Sequence, residues 1–291
     1  MSVEFIYHIV IFAIIFYILS AGFKFFIKLK GTLDFSYFAI IIFSAYLWAL
    51  LNIHRWIWIL WAIALSFVCS VLFTLLVLFL SSKLDEVYFI IWTFTLYILL
   101  YQLAMNMDNI TGWALGLSGM AQYVIWHFQL QTTTAFFIFS LIRVGAIIIS
   151  LWYIKKTFFF KVLEWRWENE NTIKSLGVRV NVYKFFMILL TTLLATIGGN
   201  LYSFYYLYID PTSFWIWMLV IILIVSFVWY RFNDRGTFLV SLVVIFIYEY
   251  LRFFKIVDPN YIGYFREMLF GVFIMISSFL VFKKTYFGRD T

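Results

Sequence analysis

Nine apolar segments of about 20 residues constrain this chain more than any other feature of its sequence. A helix of that length crosses the hydrocarbon core of a bilayer. The segments cover, roughly, residues 5–23, 33–51, 56–80, 87–105, 134–154, 184–208, 214–230, 237–256 and 264–282. Only 12% of the 291 residues are Asp, Glu, Lys or Arg, whereas soluble domains carry about 25%. The sequence therefore predicts an all-α, polytopic transmembrane helix bundle, with residues 1–291 as a single domain.

A tenth apolar stretch, residues 113–128, is too short and too rich in Gly and Gln to span comfortably. It predicts a short re-entrant or broken helix, because irregular backbone inside a membrane needs protein or water around it. The first apolar run has no basic residue before it. We therefore expect it to be a retained first span rather than a cleaved signal peptide.

The distribution of basic residues predicts the orientation in the membrane. If the segment 155–183 is cytoplasmic, 16 of the 21 Lys and Arg residues lie on that side and four on the other. The stretch 106–133, on the opposite side, contains no Lys or Arg. Because cytoplasmic loops are enriched in basic residues, the N-terminus is expected outside and the C-terminus inside. The net charge of +7 then reflects topology rather than nucleic-acid binding.

The longest polar stretch, residues 155–184, predicts a coupling segment that reaches into the cytosol. Apolar residues recur in it at roughly helical spacing: Val162, Trp165, Ile173 and Leu176. This pattern indicates a short amphipathic helix, which Gly177 is placed to end. Such a helix either docks in the groove of a partner protein or lies on the lipid headgroups with Trp165 as an anchor.

Several short motifs resemble the permease subunits of branched-chain amino acid ABC importers. The run ENENTIKSLGVRVNVYK, residues 168–184, resembles a family loop that reads E-D-E, then A-L-G-(I/V)-N-V, then Y-K. The matching residues are Glu168, Glu170, Leu176, Gly177, Val180, Tyr183 and Lys184. Residues 194–202, 209–214 and 265–271 resemble the family's L-A-G-(L/V)-A-G-x-L-Y, I-S-P-x-S-F and F-R-E-L-L-Y-G, in the same order. Residues 31–36 resemble the opening of its second span.

This resemblance implies a transmembrane permease subunit in the plasma (inner) membrane. It would form the pathway for amino acids of the branched-chain type or a similar small solute. The implied partners are a second permease subunit, in a homo- or heterodimer, an external solute-binding protein and ABC ATPase subunits, besides membrane lipid. The ATPases would bind the coupling segment through Glu164, Glu168, Glu170, Leu176 and Gly177. No cofactor is expected, and ATP hydrolysis belongs to a partner because this chain has no Walker A motif.

One departure from the family pattern supports a different function. The family carries a Gly-rich run where residues 226–241 read SFVWYRFNDRGTFLVS, and only Gly236 remains. Glycine lets helix backbones approach closely or break, so its loss indicates a remodelled pore. The alternative is therefore a membrane structural or assembly protein, derived from such a permease, that transports nothing. An intramembrane enzyme would need convergent polar side chains, and the sequence shows none.

Two groups of residues are candidates for the translocation pathway. The first lies in and before the broken segment and comprises Asn106, Gly112, Gly116, Ser118 and Gly119. The resemblance places such a segment near the pathway, and the alternative is an ordinary external loop. The second group is Gly198 and Asn200, beside a ridge of small residues at Ala195, Gly199 and Ser203. That ridge favours close helix packing over contact with a ligand.

The costliest residues in the apolar spans are Arg143 and Glu249. Their similar distance from the cytoplasmic ends of their spans predicts a buried ion pair, either structural or recognising a charged solute. Asp34 begins the second span, where it is expected to cap the helix or to be solvated. The three His residues and the single Cys are too scattered to predict a metal site or a disulfide.

Overall fold

The computed structural model describes residues 3–30, 33–53, 59–120, 124–125, 128–129, 133–157, 160, 162, 180–229, 234–251, 265, 268–269, 271–272 and 275. Its helices in chain order are α1 (Val3–Lys30), α2 (Ser36–Ile53), α3 (Ile59–Leu80), α4 (Glu86–Asn106), α5 (Asp108–Thr111), α6 (Thr133–Lys156), α7 (Val180–Tyr206), α8 (Ile216–Trp229) and α9 (Asp234–Tyr250). Short 3-10 helices cover Trp113–Leu115 and Pro211–Phe214. The strands have two residues each: β1 (Leu117–Ser118), β2 (Val124–Ile125), β3 (Phe128–Gln129) and β4 (Tyr208–Ile209).

Six helices in the described part of the chain are long and apolar enough to cross a membrane. The stretches are Val3–Phe25, Ser36–Ile53, Trp61–Leu80, Glu86–Asn106, Thr133–Lys156 and Val182–Tyr206. The helical membrane bundle expected from the sequence is thus confirmed. The segments predicted at 214–230 and 237–256 form the shorter helices α8 and α9, of 14 and 17 residues. Most of the segment at 264–282 lies outside the described residues.

Helix α1 lies at the centre of the bundle, and α6, α7, α8 and α9 all pack against it. It is apolar on every side, and each residue from Ile11 to Ala21 is buried. A helix that is hydrophobic all round belongs in an interior rather than at a surface. The most apolar stretch is 72% buried in both α1 and α2, but only 22% to 28% buried in α3, α4 and α6. The last three helices therefore form the periphery.

Small residues allow α1 to approach its neighbours closely. A Cβ atom on Gly22 would lie only 2.9 Å from Leu194 Cβ on α7, and it would overlap the Tyr37 hydroxyl group on α2. That hydroxyl group donates a hydrogen bond to Leu19 O at 3.0 Å. A Cβ atom on Gly198 would lie 2.6 Å from Leu19 Cγ. Lipid offers no hydrophobic drive for association, so this close fit provides the attraction between the helices.

The outer face of α3 is a continuous apolar stripe. Its exposed side chains follow helical spacing: Trp61, Leu65, Val68, Leu72, Leu76 and Phe79. In water such a stripe would be a liability, whereas in a bilayer it can contact lipid or another membrane-spanning chain.

We expect Gly22→Ala to destabilise the protein, because the added methyl group would overlap the Tyr37 hydroxyl group and press on Leu194. Overpacking of this kind costs about 1–3 kcal/mol. The measurement is the midpoint of thermal unfolding in mild detergent. The matched control is Gly145→Ala in α6, where an added Cβ meets no described atom within 4 Å. Equal midpoints for the two variants would contradict the close-packing account.

Candidate functional site

Buried hydroxyl and amide groups line the contact between α3 and α7. Residues spaced four apart on each helix face each other, and we call them the polar seam: Ser66, Ser70 and Thr74 on α3, with Thr192, Thr196 and Asn200 on α7. None of the six residues is more than 4% exposed. The helices run in opposite directions, so Ser66 meets Asn200 at one end of the seam and Thr74 meets Thr192 at the other.

Asn200 connects three helices through its amide group. The amide orientation that satisfies both of its ends places the nitrogen 3.2 Å from Ser44 O on α2 and 3.2 Å from Thr196 O. The amide oxygen then accepts a hydrogen bond from Ser66 Oγ at 3.3 Å. The opposite orientation makes only the contact with Ser66, so the hydrogen-bond network favours the first.

The hydroxyl groups of the seam are bonded partly to backbone and partly across the interface. Ser70 Oγ donates to Ser66 O, and Thr74 Oγ1 donates to Ser70 O, both at 2.7 Å. Thr74 Oγ1 and Thr192 Oγ1 are 3.2 Å apart. Thr196 Oγ1 is buried and has no hydrogen-bond partner among the described atoms. The seam therefore holds α3 and α7 together with neutral groups and retains some unused hydrogen-bonding capacity.

Sequence reasoning found Asn200 but missed the residues of α3 that face it. The available signal was the four-residue spacing of Ser66, Ser70 and Thr74 inside an otherwise apolar helix. Gly198 packs against α1, while a Cβ atom on Gly199 would lie 3.1 Å from Ile41 O on α2. Close packing therefore accounts for both glycines, and a pathway role for Gly198 and Asn200 stays a prediction.

Two chain segments cover one end of the bundle, and we call them the cap: residues 107–118 and 208–214. Strand β1 pairs antiparallel with β4, so that Leu117 faces Ile209 and Ser118 faces Tyr208. The Tyr208 hydroxyl group donates a hydrogen bond to Leu115 O at 2.6 Å. Burial and the neighbouring Asp210 carboxylate raise the pKa of Tyr208. The cap thus joins the loop after α4 to the loop after α7.

The structure corrects the expectation of a short broken helix at 113–128. Up to residue 120, this stretch forms a 3-10 turn and the two-residue strand β1 rather than an α-helix. Gly112, Gly116 and Gly119 have φ angles of +71°, +68° and +86°, which L-residues rarely adopt, and these angles interrupt any helix. Pairing with β4 then satisfies the backbone that a helix would have satisfied internally.

The predicted pathway residues therefore lie in two places. Gly112, Gly116 and Ser118 lie in the cap, Gly119 directly follows it, and Asn106 ends α4 beneath it. Asn106 Nδ2 donates to Gln102 O at 2.7 Å, and Asn106 O accepts from Trp113 Nε1 at 3.2 Å. Gly198 and Asn200 lie deeper, in the interior of α7.

Sequence reasoning gave no role to Asp210, which is one of the two charged residues of the cap, with Asp108. It accepts hydrogen bonds from the hydroxyl groups of Thr212 and Ser213. Tyrosine side chains from three helices and from β4 lie near enough to its carboxylate to sense its charge, namely Tyr46, Tyr101, Tyr202 and Tyr208. The motif at 209–214 was the available signal, because Asp210 stands where the family pattern has Ser.

The structure does not bring Arg143 and Glu249 together. Glu249 is 6% exposed, and its Oε2 atom lies 3.9 Å from His8 Nε2. His8 Nδ1 is 2.7 Å from the Tyr205 hydroxyl group. The Arg143 guanidinium lies over the Phe139 ring, 4.4 Å from its centroid.

Different depths explain why this predicted pair is not observed. Helix α9 is described as far as Tyr250, so Glu249 lies in the last described turn of this helix. His8 contacts both Glu249 and Tyr205. Tyr205 in turn packs against Phe136, with ring centroids 5.3 Å apart. Arg143 lies seven residues beyond Phe136 along α6, which is about 10 Å deeper in the bundle.

The other predicted residues have different outcomes. Asp34 is fully buried, and its Oδ1 atom accepts hydrogen bonds from the Ser36 backbone N–H at 2.9 Å and the Ser36 hydroxyl group at 2.6 Å. It therefore caps α2, and the solvated alternative is wrong. The coupling residues lie outside the described residues: Glu164, Glu168, Glu170, Leu176 and Gly177.

Comparison with known protein families decides what kind of protein carries this architecture. Residues 5–278 match the family described as the permease component of the branched-chain amino acid transport system. The chain belongs to this permease family. The resemblance seen in its motifs is thereby confirmed, and the permease is a multi-pass membrane protein of a transport family. No curated protein and no solved structure matches the chain significantly.

The cap can be tested with two glycine substitutions. In Gly116→Ala, the new Cβ would lie 2.8 Å from Asp210 Cα and overlap Ile209 O, so we expect β1 to separate from β4. In Gly119→Ala, the backbone strain is similar but no described atom lies within 4 Å of the Cβ. Thiol labelling of Ser118→Cys, in a Cys69→Ser background, should become faster with Gly116→Ala only. Equal acceleration by both variants would show that strain, and not the contact, matters.

The seam can be tested with a double-mutant cycle on Asn200→Ala and Ser66→Ala. Each change removes one side of the hydrogen bond, so the losses of stability should not add. Interhelical hydrogen bonds in membranes are worth about 0.6–1.7 kcal/mol, and we expect a coupling energy in that range. Ser150→Ala is the control for Ser66→Ala, since Ser150 bonds only Ala146 O of its own helix on an exposed face. Additive losses would contradict the bond between α3 and α7.

Proposed function

We propose that this permease is a transmembrane subunit of an ABC importer for amino acids of the branched-chain type or a similar small solute. The observation that carries the proposal is the family match, which extends over residues 5–278. ATP hydrolysis on separate subunits would drive the transport. An external solute-binding protein would deliver the solute, and a second permease subunit would complete the pathway.

Charge along the bundle axis supports an orientation with the cap outside. Apart from Arg143, every basic residue in the described part of the chain lies toward the end opposite the cap: Lys24, Lys28, Lys30, Lys83, Lys155, Lys156, Lys184 and Arg235. Such an excess is typical of the cytoplasmic side. The N-terminus would then face outward, and nine crossings would leave the C-terminus in the cytosol. The cap would face the binding protein.

Tight packing supports a pathway between two permease subunits rather than through one. A cleft between α2, α4 and α8, lined by Phe38, Tyr97 and Met218 among others, has no room for a water molecule. A solute would instead pass where two subunits meet, and the candidates to line that route are Asn106, Gly112, Gly116, Ser118 and Gly119. Gly198 and Asn200 are buried inside the bundle, so they would line the route only if the helices moved apart during transport. Exposed backbone and small polar groups suit a zwitterionic solute.

Coupling to ATP hydrolysis is assigned to the segment between α6 and α7. This segment leaves the bundle at the basic end, where an ATPase in the cytosol would meet it. We assign Glu164, Glu168, Glu170, Leu176 and Gly177 to that contact. An amphipathic helix bound in a groove transmits movement of the ATPase to the two spans that it joins.

A second candidate function is a membrane structural or assembly protein that transports nothing. The observation in its favour is the absence of the family's Gly-rich run, where residues 226–241 retain only Gly236. A pore lined by Phe, Trp and Tyr side chains would be closed to polar solutes.

The proposal predicts that an ABC ATPase co-purifies with the tagged permease from its own cells in mild detergent. Replacing Glu168 and Glu170 together by Lys should lower the recovery of the ATPase about tenfold or more, because two charged contacts are reversed. Glu86→Lys is the matched control, since it reverses one exposed charge near the same end of the bundle, in another loop. Mass spectrometry of the purified complex measures the ratio.

Two results would contradict the proposal at different points. Undiminished recovery with the double variant would show that the coupling assignment is wrong. If the unaltered permease recovers no ATPase, at a depth that recovers other membrane complexes, the importer proposal fails and the structural function is favoured.

A further inference from the structure

Arg143 is the one charged residue that the described part of the chain places in the middle of a long apolar helix. It lies ten residues after the start of α6 and thirteen before its end, so about 15 and 20 Å from the two ends. Its side chain is partly exposed at the surface of the bundle. Contact with the Phe139 ring, 4.4 Å away, eases the cost of this charge but does not neutralise it.

No acidic residue in the described part of the chain lies at the depth of Arg143. Each one lies at or beside an end of a helix: Glu4, Asp34, Asp85, Glu86, Asp108, Asp210, Asp234 and Glu249. Among the side chains that the structure describes, no carboxylate comes within 4 Å of the guanidinium. A lipid phosphate is a less favourable partner, because the arginine side chain would reach one only if the bilayer thinned locally around it.

The position of Arg143 around α6 shows where a partner would approach. Phe136 and Ser140 mark the buried face of this helix, and Leu141 and Ile142 are exposed on the other side. Arg143 lies at the edge between them, on a stripe that continues through Ala146 and Ser150 by helical spacing. Most of α6 is exposed, so a further helix has room to pack along this stripe.

We propose that Arg143 pairs with a carboxylate on a membrane-spanning helix of a second, non-identical permease that packs against this edge of α6. The inference rests on the proposed function, which requires a second permease. A carboxylate at that depth would neutralise the guanidinium and be neutralised by it. The apolar lipid tails provide no such opposite charge to either chain. The pair therefore favours assembly of the two different chains over either chain alone.

A second copy of this chain does not fit the same position. In a two-fold symmetric dimer whose axis passed beside Arg143, this residue would face its own copy and the two like charges would repel; anywhere else along the interface it would need a mid-depth carboxylate from the second copy. The described part of a second copy also lacks a mid-depth carboxylate on any other face. Charge complementarity thus assigns the site to a different chain.

Photocrosslinking in the native cells can identify the partner. With benzoylphenylalanine in place of Ala146, on the Arg143 stripe, we expect a crosslink to a span of a second permease that contains Asp or Glu. The matched control is the same replacement at Leu141, on the other side of α6, which should not crosslink to that span. A crosslink to a second copy of this chain would overturn the proposal.

Charge exchange then tests the pair itself. Arg143→Glu should lower the ratio of second permease to tagged chain at least about fivefold, and so should replacing the crosslinked carboxylate by Arg. Combining the two changes should restore the ratio to within about twofold. Failure of this rescue would overturn the pair. The variant Arg143→Leu gives a second test. If it leaves the ratio unchanged but raises the half-saturating solute concentration for uptake, the pair is also overturned, because the carboxylate would then belong to the solute.

These outcomes separate the two proposals. If unaltered protein recovers the second permease and the Arg143 variants do so equally well, only the pairing is wrong. If unaltered protein recovers neither a second permease nor a second copy of itself, the importer proposal itself is wrong.

Discussion

The close contact between α1 and α7 is the interaction on which the rest of the structure depends. Helices in lipid gain little from burying apolar side chains, so they associate where small residues allow a close fit. Gly22 and Gly198 supply that fit on the two sides of the contact. With α7 held against the central helix, its other face is left to carry the polar seam, and its end continues directly into β4 of the cap. One packing contact thus positions both groups of candidate residues.

The cost of charge in hydrocarbon organises what remains. Nearly all described ionisable residues lie at the ends of helices, where water or headgroups can solvate them. The buried carboxylate of Glu249 fits this arrangement, because it lies in the last turn of α9 beside His8 and Tyr205. Asp34 is buried, but it accepts a hydrogen bond from the first backbone N–H of α2. Against this background the position of Arg143 is an exception that concerns assembly rather than folding.

Much of the fold could be predicted from the sequence, because span length and hydropathy are dictated by the bilayer. The six long helices correspond to predicted spans, and the motifs indicated the correct family. Other features depend on which faces meet, and hydropathy does not contain that information when helices are apolar all round. The pairing of Ser66 with Asn200 was therefore missed, and so was the contact of Glu249 with His8. The β1–β4 pairing joins residues about 90 apart, and nothing local in either loop reveals it.

The regular spacing of the polar seam has a mechanical consequence. Polar residues of the seam recur every four positions on both α3 and α7, which is about one helical turn. If α3 slid along α7 by one turn, about 5.4 Å, most polar residues of the seam would face another polar residue instead of an alkyl side chain. The seam therefore determines which faces of α3 and α7 touch, but it discriminates only weakly between two axial registers that differ by one helical turn.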